Sequence, residues 1–342
     1  MKTHGRDSIW LIDTTLRDGE QSPGVAFSRG TKETIAFMLA ETGIDELEVG
    51  TPAMGKIEQE DFRAIGHLNL PCRLTCWCRA RREDIEDAAK CDTGSIHISF
   101  PVSSILLKAM KKDESWVLAQ LRELLAFACK RFQFVSVGAQ DATRADLLFL
   151  KIFAEHALLH GAYRMRIADT VGIATPFSLT AILTELLSSS GMALEFHGHN
   201  DLGMATANSI CAAQAGVGAL SVTVNGLGER AGNAALEEVA MAISLSGEKY
   251  CGIRPASLMP LCAYVSQASQ RPIPPNKPIT GSLVFTHESG IHCNGMFKDP
   301  RTYEPFSGSL LGRSSEFVMG KHSGTALLRQ VLKNGYPIHL EC

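Results

Sequence analysis

Two histidines separated by one residue form the strongest chemical signal in this sequence of 342 residues. His197 and His199 lie in the segment FHGHND at residues 196–201, which follows an alternating stretch typical of a β-strand. Side chains at positions i and i+2 of a strand share one face, so the two imidazoles can chelate one metal ion. The alternative is that one imidazole hydrogen-bonds a backbone carbonyl while the other faces solvent.

Two further segments offer oxygen ligands and a fixed charge. Arg17 and Asp18 are adjacent in the segment DTTLRDGEQ at residues 13–21, which either serves a site above a strand or forms an ion pair in a surface loop. The segment NGLGERAGN at residues 225–233 is a phosphate-binding turn or a flexible link. Where these segments meet the two histidines, a carboxylate, two imidazoles and an amide oxygen converge. That mixture suits Mn, Mg, Zn or Fe.

The elements that position these residues follow a repeating pattern. Short apolar or alternating segments predict strands, and longer segments with helical spacing follow them. The predicted strands are residues 9–13, 46–50, 73–78, 95–100, 132–137, 163–169, 193–199 and 219–225. The predicted helices include residues 31–42, 141–159, 176–188 and 202–215. Eight consecutive βα units predict a closed (β/α)8 TIM barrel rather than a doubly wound sheet.

Polar residues alternate with apolar ones in several predicted strands. In residues 95–100, His97 and Ser99 lie opposite Ile96, Ile98 and Phe100. Strands covered by helices on both faces are apolar throughout, so the alternation indicates a polar barrel interior. The polar side chains then point to the C-terminal mouth, where this fold carries its chemistry.

The pattern changes to a proline-rich stretch after about residue 247. We therefore predict a catalytic barrel at residues 1–250 and a linker with a C-terminal subdomain at residues 251–342. Residues 279–342, here called the appendage, contain one predicted helix at residues 325–333 and too little apolar sequence for an independent core.

Composition excludes several classes of protein. Lys and Arg number 33 against 36 Asp and Glu, without a long basic block, which argues against a nucleic-acid-binding role. No segment approaches a membrane-spanning length of apolar residues, and the N-terminal segment lacks the apolar core of a signal peptide. Ten cysteines without a disulfide framework suit a reducing compartment. A soluble cytoplasmic protein is expected.

Six segments together resemble the barrel metalloenzymes that include isopropylmalate synthase, homocitrate synthase, citramalate synthase and hydroxymethylglutaryl-CoA lyase. They are DTTLRDGEQ at 13–21, ELEVG at 46–50, ADTVG at 168–172, HGHND at 197–201, GLGERAGN at 226–233 and SGIH at 289–292. The resemblance spans nearly the whole chain. WCRA at 77–80 and VSVG at 135–138 make it most similar to the homocitrate synthases of the nitrogen-fixation type.

The resemblance implies roles for particular residues. One divalent metal ion, Mn, Mg or Zn, is expected on Asp18, His197, His199 and Asn233. Arg17 is expected to contact the developing oxyanion, and the 2-oxo acid pocket is expected to be lined by Gln21, Glu48, His97 and Thr170. His292 and Tyr303 of the appendage are expected to perform acid–base chemistry at the barrel mouth of a second subunit, which implies a homodimer.

Two departures from the family pattern are present. Gln140 stands where a catalytic glutamate is expected, and an amide cannot exchange protons as a carboxylate does. The sequence ends at Cys342, before the leucine-sensing domain of larger relatives, so feedback control by leucine is not expected.

The function that fits is an acyltransferase that condenses acetyl-CoA with 2-oxoglutarate to give homocitrate, in amino-acid biosynthesis or nitrogen fixation. Arg79, His97, Ser99 and Thr170 would form a polar, potentially cationic pocket for the distal carboxylate. Alternatively, Arg79 begins the following helix and points to solvent. Isopropylmalate, citramalate and Re-type citrate synthases remain alternatives, as does a metal-binding regulatory barrel without catalysis. The lyases of this family that act on hydroxymethylglutaryl-CoA carry a cysteine in the glycine loop after the eighth strand. A lyase is therefore disfavoured, because residues 225–233 contain no cysteine.

Overall fold

Eight parallel strands close into a barrel in the computed structural model, which describes residues 8–334 and 339–340. The strands are β1 Trp10–Asp13, β2 Glu46–Gly50, β3 Arg73–Arg79, β4 Ser95–Pro101, β5 Phe134–Gln140, β6 Arg164–Asp169, β7 Leu194–Gly198 and β8 Ala219–Val222. Each strand pairs with the next along the chain, and β1 pairs with β8 to close the ring. The predicted (β/α)8 TIM barrel is confirmed.

Helices surround the barrel and continue into the appendage. They are α1 Arg29–Thr42, α2 Lys56–Gly66, α3 Arg82–Ala88, α4 Ser104–Ala109, α5 Glu114–Ala128, α6 Leu147–Leu159, α7 Pro176–Ser190, α8 Ala205–Ala215, α9 Leu236–Ser246, α10 Leu258–Ser269, α11 Gly290–Met296 and α12 Thr325–Asn334. The single helix predicted over residues 141–159 is interrupted. Asp141 adopts a left-handed conformation with φ of 63°, and Asp146 caps α6 by accepting from Phe149 N.

The polar interior predicted from alternation is present. Ile96, Ile98 and Phe100 of β4 belong to the hydrophobic core beneath the helices, and the Phe100 ring packs edge-on against Phe153 of α6. His97 is buried and its Nδ1 lies 2.9 Å from Ser136 Oγ of the neighbouring β5. Polar inner faces therefore pair with one another across adjacent strands.

Two strand ends differ from the sequence prediction by three residues, and both lie at the mouth. β5 extends three residues beyond residue 137, so Gln140 is carried on the strand. β8 stops at Val222 because Asn225, predicted as the strand end, adopts a left-handed φ of 60° in a short turn.

The appendage contains a short parallel sheet that periodicity did not predict. Its strands are β9 Thr286–His287, β10 Glu316–Met319 and β11 His339–Leu340. Helix α10 lies after the predicted boundary at residue 250 and packs against α1 of the barrel. The division at residue 250 stays a prediction.

No helix within the described residues is both long and apolar enough to span a membrane. The N-terminal residues 1–7, on which the expectation about a signal peptide depends, and Cys342, on which the expectation about leucine control depends, lie outside the described residues. The cytoplasmic location stays a prediction.

Candidate active site

Three buried side chains converge at the C-terminal mouth of the barrel. Asp18 comes from the loop after β1, and His197 and His199 come from the end of β7. One ligand atom from each of the three lies within 4.8 Å of the others. The Nε2 atom of His197 is 3.3 Å from both Asp18 Oδ2 and His199 Nε2. Two imidazole nitrogens and a carboxylate oxygen therefore face one point.

Backbone geometry in the β1 loop turns Arg17 and Asp18 toward this point. The amides of Arg17, Asp18 and Gly19 all donate to the carbonyl of Thr14, at 2.8–3.1 Å. The loop is thereby wound tightly above the strand. The alternative of an exposed ion pair in a surface loop does not apply, because both side chains are less than a tenth exposed.

The protonation states suit a cation. Burial, followed by the neighbouring His197, lowers the pKa of His199 to about 4, so its imidazole is neutral at pH 7. Burial alone would raise the pKa of Asp18, but Arg17 and His197 outweigh burial and hold it well below its usual value. The cluster thus presents a carboxylate and a neutral imidazole lone pair.

Asn233, in the loop after β8, completes the cluster. Its amide nitrogen donates to Asp18 Oδ1 at 3.2 Å and to the Leu227 carbonyl at 3.0 Å. Its buried Oδ1 has no hydrogen-bond partner within the described chain. A buried acceptor without a donor costs about 1–3 kcal/mol, and a bound cation would remove that cost. The donor set therefore fits a divalent metal ion.

Glycine shapes the loop that carries Asn233. Gly232 has a φ of 83°, and a Cβ at this position would collide with the carbonyl oxygen of Gly226. The loop is therefore a tight, defined turn rather than a flexible link.

Arg17 is held rigidly beside the cluster. Its Nη1 donates to Asp18 Oδ2 at 2.7 Å, and its Nε donates to Glu48 Oε1 at 2.5 Å. The guanidinium carbon lies 5.3 Å from the centre of the Trp77 ring. A positive charge fixed by two carboxylates and an aromatic face is preorganised for charge that develops nearby.

Arg17 also joins a chain of ion pairs that descends through the barrel. The successive members are Asp18, Arg17, Glu48, Arg166, Glu195, Arg164, Glu46 and Arg73. Burial would raise the pKa of Glu48, but Arg166 and Arg17 lower it to about 2. Glu48 is therefore a buried carboxylate that holds both arginines in place.

A cavity of about 200 Å³ opens at this point. Most of the site residues predicted from the sequence line it, and the predicted residues among its walls are Arg17, Asp18, Gln21, His97, Ser99, Gln140, Thr170, His197 and His199. Glu48 and Asn233 do not line the cavity themselves. Glu48 accepts a hydrogen bond from Arg17, and Asn233 donates one to Asp18, and both of these partners do line it.

Several lining residues were missed by sequence reasoning. They are Trp77, Gly138, Arg166, Ala168, Glu229 and Arg230. For Arg166 a signal existed, since Arg164 and Arg166 alternate with apolar residues in β6 and so face the interior. Trp77 shares one face of β3 with Thr75 and Arg79 by the same period, but its aromatic side chain was not expected in a polar pocket.

Arg79 does not line this cavity, contrary to its predicted place in the pocket. Its Nε donates to Asp84 Oδ2 at 2.8 Å and its Nη2 to Asp84 Oδ1 at 2.9 Å, with 51% of the side chain exposed. Asp84 lies in the first turn of α3, so the helix that follows β3 draws Arg79 away from the barrel axis. The alternative, in which Arg79 begins the following helix and points to solvent, agrees with its exposure but not with its element, because Arg79 ends β3 and α3 begins at Arg82.

Arg79 instead lines a neighbouring groove of about 820 Å³, together with Arg81, Arg82, Lys112 and Trp116. Trp77, Ser99 and Gln140 contribute to both the groove and the cavity. A basic groove thus adjoins the metal cluster.

His292 and Tyr303 are brought together but not to the cavity of their own chain. Their rings stack with centroids 4.1 Å apart and an interplanar angle of 25°. Neither residue is among those that line the cavity.

Comparison with known proteins gives two matches along the chain. Residues 8–259 match the family described as HMGL-like, and residues 279–339 match the homocitrate synthase post-HMGL domain-like family. The chain is 45% identical to 2-isopropylmalate synthase 2 of Caldanaerobacter subterraneus subsp. tengcongensis, over 94% of this chain and 84% of the relative. It is 42% identical to homocitrate synthase of Frankia alni, over 95% and 93%.

A third relative carries a different name again. The chain is 40% identical to 2-phosphonomethylmalate synthase of Streptomyces rubellomurinus, over 96% of this chain and 88% of the relative. Among solved structures, the HMG-CoA lyase of Bacillus subtilis superposes with a TM-score of 0.70 at 18% identity, over 78% of this chain and 96% of the lyase. That likeness concerns the fold.

Proposed function

This chain belongs to the HMGL-like family, and we propose that it is a metal-dependent acyltransferase that condenses acetyl-CoA with a 2-oxo acid. The observation that carries the proposal is the buried cluster of Asp18, His197 and His199 beside Arg17 at the barrel mouth. The curated relatives reported above are named synthases, and the chain covers most of their length.

Asp18, His197, His199 and Asn233 would hold the metal ion, which is Mn, Mg or Zn. When bound, it supplies Lewis acidity that polarises the carbonyl of the 2-oxo acid. Arg17 stabilises the negative charge that develops on that oxygen when the new carbon–carbon bond forms. Gln21 and Thr170 orient the acid from the cavity wall.

The groove beside the cavity suits the acetyl donor. Coenzyme A carries phosphate groups and an adenine ring, which arginine, lysine and tryptophan side chains bind well. Arg81, Arg82, Lys112 and Trp116 provide these groups, and the groove meets the cavity at Ser99 and Gln140. The acetyl group would then enter the cavity past Trp77.

Proton transfer requires an acid–base group, and Gln140 stands where a catalytic glutamate is expected. Gln140 occupies the cavity wall, but its amide can position a substrate without accepting a proton. We assign His292, assisted by the stacked Tyr303, as the acid–base group. The appendage of a second subunit would bring it to the cavity. The protein would therefore act as a homodimer.

Mixing two inactive variants tests this shared site. We expect His199→Ala and His292→Ala to be inactive alone and the purified mixed dimer to regain about half of wild-type activity, since one of its two sites then combines two intact halves. CoA release by the purified mixed dimer is the measurement. Mixed dimers as inactive as either parent would place the site within one chain and refute this arrangement.

We assign 2-oxoglutarate as the acid, with homocitrate as the product. The names of the relatives do not agree on the side chain of the product, so the choice must come from the residues of this cavity. Outside the metal cluster, its lining includes the polar side chains of His97, Ser99 and Arg166. Oxaloacetate, pyruvate and 2-oxoisovalerate are the alternatives, in that order.

A direct assay decides the activity. Purified protein with Mn or Mg and acetyl-CoA is expected to release CoA when a 2-oxo acid is added, and 2-oxoglutarate is expected to give the highest kcat/KM among the four acids. CoA is measured with a thiol reagent, and omission of the acid is the control. If none of the four acids supports CoA release, the proposal is contradicted and a regulatory barrel is favoured.

A further inference from the structure

We infer that Arg166, with His97 beside it, recognises a second acidic group at the far end of the 2-oxo acid, so that the site selects dicarboxylic 2-oxo acids. This inference rests on the proposed function, because it names the substrate class of the same cavity. It assigns to Arg166 the role that the sequence suggested for Arg79.

Arg166 is a buried cation on the cavity wall, separate from Arg17 of the metal cluster. It lies on β6, and only 4% of its side chain is exposed. Its Nε donates to Glu195, and its Nη2 donates to Glu48 Oε2 at 2.6 Å. Its Nη1 makes only a long contact of 3.4 Å to Glu48 Oε1. A guanidinium has five N–H donors, so Arg166 retains donors for an anion in the cavity.

His97 lies on the same wall with one nitrogen directed toward the cavity side. Its Nδ1 is paired with Ser136 Oγ at 2.9 Å. Its Nε2 faces Gly138, where a Cβ would lie only 2.6 Å away. Gly138, which also lines the cavity, therefore keeps open the space in front of this nitrogen. Burial and Arg166 lower the pKa of His97, so the charge for an anion comes from Arg166.

Charge balance favours a dianion. The buried chain of ion pairs contains four arginines and four carboxylates, so its charges cancel. A divalent metal ion on Asp18 and the two histidines adds two positive charges to this buried region. A dicarboxylic 2-oxo acid cancels both, whereas a monocarboxylic acid leaves one uncompensated in a low-dielectric site.

Arg164 provides a matched control. It lies two residues earlier on β6, is equally buried, and binds Glu195 and Glu46 in the same network. It is not among the residues that line the cavity. A change at Arg164 therefore disturbs the ion pairs without touching the far end of a substrate.

The test compares Arg166→Lys with Arg164→Lys, both of which keep the charge. For Arg166→Lys we expect kcat/KM for 2-oxoglutarate to fall at least about 10-fold, with a change of less than about 3-fold for 2-oxoisovalerate, because lysine loses the planar fork. Arg164→Lys should change both values by a similar factor. Calorimetric binding of each acid to the metal-loaded protein, without acetyl-CoA, should show the same selectivity.

A second variant keeps every charge in place. Gly138→Ala should weaken binding of 2-oxoglutarate by displacing His97. This variant tests the inference if Arg166→Lys does not fold. Equal effects on the two acids in both Arg166→Lys and Gly138→Ala, or wild-type preference for 2-oxoisovalerate, would overturn the inference. Selective binding without CoA release would support the inference while refuting the proposed reaction.

Discussion

Replacement of Arg17 by alanine is expected to lower kcat by on the order of 10² or more, with a smaller effect on KM. Arg17 is fixed between Asp18 and Glu48, so its charge is already in place when the carbonyl oxygen becomes an alkoxide. Interactions that strengthen in the transition state act on kcat rather than on ground-state binding. Steady-state kinetics with the best acid of the panel provides the measurement.

Arg17→Lys and metal analysis separate this role from a structural one. Lysine keeps a positive charge but cannot contact both carboxylates in the same way, so we expect an intermediate kcat. The metal content of Arg17→Ala should remain near that of the wild type, because Asp18 and both histidines are intact. A variant with normal kcat and a raised KM would reassign Arg17 to substrate positioning.

His199→Ala is expected to lose the metal ion and, with it, activity by on the order of 10³ or more. His199 supplies one of the two imidazole nitrogens of the cluster, and the remaining ligands would be His197, Asp18 and the amide of Asn233. Elemental analysis after dialysis measures the metal bound per chain. Thermal unfolding checks that the variant is folded.

His67→Ala is the matched control for this change, since His67 is an exposed histidine at the end of α2. It should keep both metal and activity. Unchanged metal content in His199→Ala would remove this histidine from the metal site and leave the cluster without its proposed role.

The sequence by itself determined the barrel and the centre of its mouth. Strand and helix periodicity alternated eight times, and the spacing of His197 and His199 placed both imidazoles on one face of β7. These features are local, because a period of two along a strand assigns each side chain to a face without reference to the rest of the chain. The adjacency of Arg17 and Asp18 was equally local.

The tertiary structure alone decided which long side chains reach the cavity. Arg79 and Arg166 both lie on strands of the barrel, but Asp84 of α3 binds Arg79 outside, while Glu48 and Glu195 hold Arg166 inside. The partner that an arginine finds depends on carboxylates carried by other elements, which periodicity cannot locate. The same reason applies to Asn233, whose place beside Asp18 follows from closure of β1 onto β8.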